Sequence, residues 1–286
     1  MFSGFSKTVT GQSHIKSGKV CQDCSEFVSA DRYGIAVAAD GHGSSRHFRS
    51  NIGSRLAVDV TLNTIKEFYR SAEEFEESFI RSPEKIIRKI QKHIISHWNM
   101  EVADYHEKNP VTEDEVKLLT QRQLQGLKTE AIYGTTLIAV VMTDKFTFGI
   151  QLGDGNTVIV NDDAQANQPI IDDESHPANL TASMCNSNAI EMFGYFYTFD
   201  KLLAAFVSTD GLYTSFETNE DFLDYHTIIT GLLDDDMLNF NQIISKNITM
   251  RSGHGTQDDI SVAGVFREGN IQSSLNIIMD RIKLNK

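Results

Sequence analysis

Four turns carry the acidic residues best spaced for chemistry. "AVAADGHG" holds Asp40, "GIQLGDGN" holds Asp154, "AFVSTDGLY" holds Asp210, and "GTQDDISV" holds Asp258 and Asp259. The first three end strand-length apolar runs and are followed by glycine, while the last pair stands just before such a run. Strands would deliver these carboxylates from a rigid scaffold to one rim, where a neighbouring glycine lets backbone carbonyls approach an ion. Carboxylate and carbonyl oxygens suit hard cations, Mg²⁺ or Mn²⁺ rather than Zn²⁺. Ionised aspartates sharing a rim raise one another's pKa, and divalent ions remove that repulsion. A single Asp-Gly pair is more often a turn or hairpin. On spacing alone, a set of turns and a shared metal site both stand.

A second constellation is "VCQDCSE", in which Cys21 and Cys24 flank Asp23. A redox Cys-x-x-Cys needs its first thiol at a helix N-terminus, whereas this segment reads as a turn entering the strand "EFVSA". A zinc site needs further ligands, yet Cys185 is distant and no histidine spacing completes a set. The two cysteines therefore read as small packing residues.

The elements that must position these groups follow from periodicity. Ile35–Ala39 is a compact apolar run, and Phe48, Ile52, Leu56 and Val60 mark one face of a long helix. A second helix is expected from Pro83 to about Trp98, with Ser82 as its cap. Thr112 and Glu115 form a capping-box signature before a polar helical stretch reaching about Lys128. Strands are expected at "GTTLIAVVMT", "KFTFGIQLG", "NTVIVND", "LLAAFVSTDG" and "ISVAGVF". Two helices should lie between about Asn219 and Met250. After a turn at "REGN", an amphipathic helix should bury Ile271, Leu275, Ile278 and Ile282. The polar segment after Asn161 reads as a long surface excursion. Grouped antiparallel-type strands and helices favour α+β over a doubly wound sheet. Without a Pro/Gly-rich linker, residues 1–286 read as one domain.

The bulk numbers narrow the class. Of 286 residues, 40% are hydrophobic and 23% charged, as in a globular protein with a real core. A formal charge of −13 argues against nucleic acid as a partner. No apolar run is long enough to cross a bilayer, and the N-terminal stretch has no signal-peptide pattern. Three cysteines fit a reducing compartment, so the expected location is the cytoplasm. The N-x-T triplets at Asn179 and Asn247 then carry no glycosylation argument.

In order along the chain, these elements resemble the metal-dependent protein phosphatases of the protein phosphatase 2C family. The matching stretches are "CQDCS", "DGHG", "YGTTL", "LGDGN", "STDGL" and "TQDDISV", from Gln22 to Val262. Each is weak alone; their order and spacing carry the likeness, and "GQSHIKSGKVCQD" looks like a bacterial branch. The resemblance implies a four-layer αββα sandwich of two antiparallel sheets flanked by helices. It implies a centre of two Mn²⁺ or Mg²⁺ ions, with Asp40 bridging and the Gly41 carbonyl on one of them. Asp210 and Asp258 would hold one ion, Asp23 would reach the site directly or through water, and Asp154 matches the position of a weaker third ion. His42, beside the bridging aspartate, would protonate the leaving serine or threonine. The implied activity is serine/threonine protein phosphatase, acting on a phosphorylated protein and opposing a cognate kinase in bacterial signalling.

The pattern departs from the family at three places. Many members carry a phosphate-gripping arginine five residues before the early aspartate, and Gly18 stands there. Lys16, Lys19 or His14 could supply the missing cation, with Lys19 and His14 preferred. Asp259 replaces the usual asparagine, leaving two candidates for one ligand position, of which register favours Asp258. Gln22 replaces a common glutamate as a neutral hydrogen bonder. The missing arginine also motivates a competing reading, a pseudophosphatase or binding module that keeps the fold without turnover.

Overall fold

Central strand sequences such as residues 35–39, 137–142 and 202–207 are apolar at every position because both of their faces are covered. The computed structural model describes residues 1–117, 119–170, 181–233 and 236–284. Its strands are β1 (Phe2–Val9), β2 (Cys24–Ser29), β3 (Tyr33–Ala39), β4 (Leu137–Thr143) and β5 (Thr147–Leu152). They continue with β6 (Asn156–Asn161), β7 (Ala166–Asn167), β8 (Gly194–Thr198), β9 (Leu202–Ser208) and β10 (Ile260–Arg267). One five-stranded sheet has the order β1-β10-β9-β6-β7 and the other β2-β3-β4-β5-β8. Every pairing is antiparallel.

Side chains sort by the two-residue period of a strand. Ala36 and Ala38, Ile138 and Val140, Ala205 and Val207, and Ala263 and Val265 meet between the sheets. Their neighbours Ile35, Val37, Leu137 and Val141 face outward into a second apolar layer. Covering that layer are α2 (Ser50–Phe68), α3 (Ala72–Arg81) and α4 (Pro83–Lys108), following the short α1 (Gln12–Ser17). Three single turns come next, α5 (Glu113–Val116), α6 (Gln121–Gln125) and α7 (Thr129–Ile132). After α8 (Asp210–Tyr213), the helices α9 (Asn219–Leu232), α10 (Met237–Arg251) and α11 (Glu268–Leu284) bury Phe222, Phe240, Ile248 and Ile278 against Phe206 and Val262 of the first sheet. The result is the expected αββα sandwich.

Some local expectations need correction. The α4 pattern runs to Lys108 rather than Trp98, because Val102 continues the buried face. Ser82 occupies its N-cap position but makes no side-chain cap bond. The Thr112–Glu115 capping box is formed, yet that helix stops at Val116, and a second box at Thr120–Gln123 starts another single turn. The last helix begins at Glu268, directly after β10, with no intervening turn. Helices α1 and α3 and strand β8 lie outside the sequence expectations, although Phe75 and Phe79 mark one buried face of α3. Of the excursion after Asn161, residues 171–180, which include Asn179, lie outside the described residues. Among the described residues no helix is long and apolar enough to cross a membrane.

Candidate active site

Five acidic side chains converge at one end of the sandwich, each delivered by the end of a strand or the turn beside it. Asp23 immediately precedes β2 and Asp40 follows β3; Asp154 lies between β5 and β6, Asp210 opens α8 after β9, and Asp258 precedes β10. Asp40 feels Asp23, Asp210, Asp258 and Asp154. Burial, then this mutual repulsion, holds the Asp23 and Asp40 carboxyls well above the usual range. Asp210 is pushed up to about 6, again by burial first and then by Asp154. A cavity of about 110 Å³ opens among Asp40, His42, Asp154, Asp258, His14 and Gln22, and no lysine or arginine is among the described residues lining it.

The positioning is explicit. The Thr209 hydroxyl donates to Asp23 Oδ2 at 2.7 Å and accepts from the Ser261 N–H at 2.9 Å, tying Asp23 to the start of β10. The Asp40 N–H donates to Thr136 Oγ1 at 2.9 Å, and the Thr135 hydroxyl and Thr136 N–H both donate to the Asp40 carbonyl at 2.8 Å. Gly41 must be glycine, since a Cβ there would lie 2.6 Å from the Gln22 carbonyl oxygen and 2.8 Å from that of Ser50. Asp154 is exposed, and its Oδ2 accepts from the Thr181 hydroxyl at 2.9 Å. Gln22 acts as the expected neutral hydrogen bonder, donating from Nε2 to Ser50 Oγ at 2.6 Å and to the His42 carbonyl at 3.3 Å.

His42 lines the cavity with its backbone N–H on the Gly134 carbonyl at 3.1 Å. Its ring meets that of His47 edge-on with centroids 4.9 Å apart, and the His47 Nδ1 contacts the Ala131 carbonyl. Burial, then His47, lowers the His42 pKa to about 4.

The other two departures from the family pattern also acquire clear positions. Gly18 is the left-handed C-cap of α1, at φ 68°, donating to the His14 and Ile15 carbonyls. Lys19 lies just beyond it, exposed and outside the cavity lining, whereas Lys16 Nζ donates to Gln257 Oε1 at 3.0 Å beside Asp258. His14 is buried and lines the cavity. Asp259 is 3% exposed, and its two oxygens accept from the Gly11 N–H at 2.8 Å and the Gln22 N–H at 2.6 Å. It is thus engaged with backbone, while Asp258 faces the cavity. Sequence reasoning missed this clamp, and missed Thr209 and Thr136, although both threonines stand inside the stretches "STDG" and "YGTT".

Cys21 and Cys24 are both free thiols. Burial pushes their pKa up to about 12 and about 11, the opposite of what an activated thiol needs.

Several solved structures share this arrangement of sheets and helices. The S. agalactiae serine/threonine phosphatase superposes with a TM-score of 0.57 at 18% identity, covering 93% of this chain and 99% of that one. Serine/threonine phosphatase Stp1 from Staphylococcus aureus gives 0.56 at 16%, covering 94% and 96%. PppA, described as a key regulatory component of T6SS in Pseudomonas aeruginosa, gives 0.57 at 16%, covering 93% and 97%. At these identities the likeness is one of fold. No curated protein matches the sequence. The family profile described as Protein phosphatase 2C matches residues 10–244, most of the chain and every acidic turn but the last. With that match and the sandwich that carries its motifs, the chain belongs to the protein phosphatase 2C family.

Proposed function

We propose that the protein is a metal-dependent serine/threonine protein phosphatase. The observation that carries this reading is the grouping of Asp23 and Asp210 with Asp40, Asp154 and Asp258, the last three of which line a cavity with no lysine or arginine among its described lining residues. Such a set fits hard divalent cations: its donors are oxygens, and burial followed by mutual repulsion raises the pKa of Asp23, Asp40 and Asp210, a strain that cations relieve. Asp40, Asp210 and Asp258, with the Gly41 carbonyl, would hold two Mn²⁺ or Mg²⁺ ions. Asp23 would join them directly or through water, and exposed Asp154 would serve a weaker third ion. When bound, such ions acidify water and neutralise phosphoryl charge.

The chain's own residues account for the remaining work. Thr209 holds the Asp23 carboxylate and Thr136 the Asp40 backbone in place. His42 is assigned the proton that the leaving serine or threonine oxygen requires. It is neutral while the cavity is empty of substrate, and an entering phosphate dianion favours the imidazolium that donates. Substrate would be a phosphorylated protein supplied by a serine/threonine kinase, and we place the enzyme in the cytoplasm as one domain.

Turnover of p-nitrophenyl phosphate and of a phosphothreonine peptide, measured with Mn²⁺ and with a chelator, tests the proposal. Manganese-dependent hydrolysis of both, abolished in Asp40→Asn and Asp210→Asn, is the expected result. Gly18 at the position of the family's arginine favours one competing reading, a pseudophosphatase. Tight Mn²⁺ binding without hydrolysis of either substrate would establish that reading instead.

A further inference from the structure

We infer that His14 is a nitrogen ligand of the cation that Asp258 holds, so that this centre selects Mn²⁺ over Mg²⁺. The inference rests on the metal-dependent reading above and adds a donor of a different kind to it.

Helix α1 is pinned against the turn that carries Asp258. The Ser13 N–H donates to the Gln257 carbonyl at 3.0 Å, and Lys16 Nζ bonds the Gln257 side chain. Gly11 has no room for a side chain, because a Cβ would lie 2.4 Å from the Asp258 carbonyl oxygen. This docking turns His14 inward, where it is 8% exposed and lines the cavity. Its Nε2 lies 3.7 Å from Asp258 Oδ1, and its Nδ1 lies 3.0 Å from Asp259 Oδ1. One donor atom from each of His14, Asp258 and Asp259 falls within 4.8 Å of the others.

The second observation concerns the imidazole itself. Despite its distance to Asp259, the buried Nδ1 has no aligned hydrogen bond. A buried polar atom left so is costly, and a cation drawing the ring into place removes the cost. The two carboxylates differ in availability. Both Asp259 oxygens already accept backbone N–H groups, so Asp259 is suited to orient the ring by accepting from Nδ1–H. Nε2 then presents its lone pair beside Asp258, the carboxylate–histidine–metal arrangement that fixes a ligand's tautomer. Mg²⁺ takes oxygen donors and dehydrates reluctantly, whereas Mn²⁺ accepts imidazole more readily.

Pulsed EPR on the Mn²⁺-loaded full chain tests this without relying on turnover. The wild-type spectrum should show hyperfine coupling of a directly bound imidazole nitrogen, which changes on ¹⁵N-histidine labelling. His14→Gln should lose that coupling and bind one Mn²⁺ about 10-fold or more weakly, while Mg²⁺ affinity moves far less. Mn²⁺ bound tightly without nitrogen coupling would overturn the inference and leave the phosphatase reading intact. Coupling that survives in His14→Gln would assign the nitrogen elsewhere, with the same consequence. An unchanged Mn²⁺ titration combined with a raised KM for phosphopeptide would make His14 a phosphate contact instead, also overturning it. Failure to bind Mn²⁺ at all would remove the metal-dependent reading and this inference together. The wild-type isotope experiment remains decisive even where the variant folds poorly.

Discussion

Asp259 Oδ2 accepts a 2.6 Å hydrogen bond from the backbone N–H of Gln22, the residue before Asp23. Its other oxygen holds the Gly11 N–H at 2.8 Å, so one side chain at the start of β10 secures both ends of the segment that carries α1 and Asp23. An asparagine has one acceptor oxygen for these two donors and must leave one unpaired. Asp259→Asn is therefore expected to lower unfolding free energy by about 1–3 kcal/mol in urea titrations. It should also reduce phosphatase turnover by displacing Asp23. An Asp259→Asn protein as stable as wild type would show that the clamp contributes nothing.

Removing divalent ions should destabilise the protein more at high pH than at low pH. In the metal-free protein the Asp210 pKa is raised to about 6, by burial first and neighbouring carboxylates next. A raised folded-state pKa gives stability that is full below the unfolded value and lost as pH rises through the folded one. For Asp210 alone this amounts to about 1 kcal/mol between pH 5 and pH 8, and Asp23 and Asp40 shift in the same direction. The Tm difference between Mn²⁺ and chelator should therefore be larger at pH 8 than at pH 5. Equal differences would mean that the carboxylates are not mutually strained.

The role assigned to His42 predicts a dependence on the leaving group. Threonine alkoxide needs a proton as it departs, whereas p-nitrophenolate leaves readily without one. His42→Ala should lose about 10²–10⁴-fold in kcat on a phosphothreonine peptide and far less on p-nitrophenyl phosphate. Parallel losses on both substrates would make His42 a structural or metal-site group rather than the acid.

How much of this was legible in the sequence depended on the kind of signal. Ile35–Ala39 and Leu202–Ser208 are short apolar runs ending at Asp-Gly turns, and such runs name both a strand and its rim position. By contrast, α1 is six residues long with Gly11 and Gly18 at its ends, too short for a helical period to register. Its existence follows from docking on Gln257 and Asp258, residues some 240 positions away in the chain. The polar stretch after Thr112 misled for a related reason. Capping boxes start helices at Thr112 and Thr120, but each turn ends for want of a continuous buried face. The acidic side chains could be read from their turns. The side chains that hold them could not, because Thr209 and Asp259 act through partners brought close only by sheet pairing.

A second buried histidine lies away from the site. His226 in α9 is fully buried, with Nδ1 at 2.8 Å from the Phe222 carbonyl and its ring packed on Phe206 and Phe222. Burial lowers its pKa to about 4, so the folded protein keeps it neutral while the unfolded chain protonates it near the ordinary histidine value. A depressed folded-state pKa gives stability that is full above the unfolded value and lost as pH falls toward the folded one. From pH 7.5 to pH 5, His226 should therefore cost about 2 kcal/mol of unfolding free energy. His42, with a similarly depressed pKa, adds to the same trend, so the informative quantity is the difference between wild type and His226→Gln across that range. The variant should be less stable at pH 7.5, having lost packing against Phe206, yet its stability should fall less steeply toward pH 5. An identical slope in both proteins would show that His226 does not titrate on unfolding in this range.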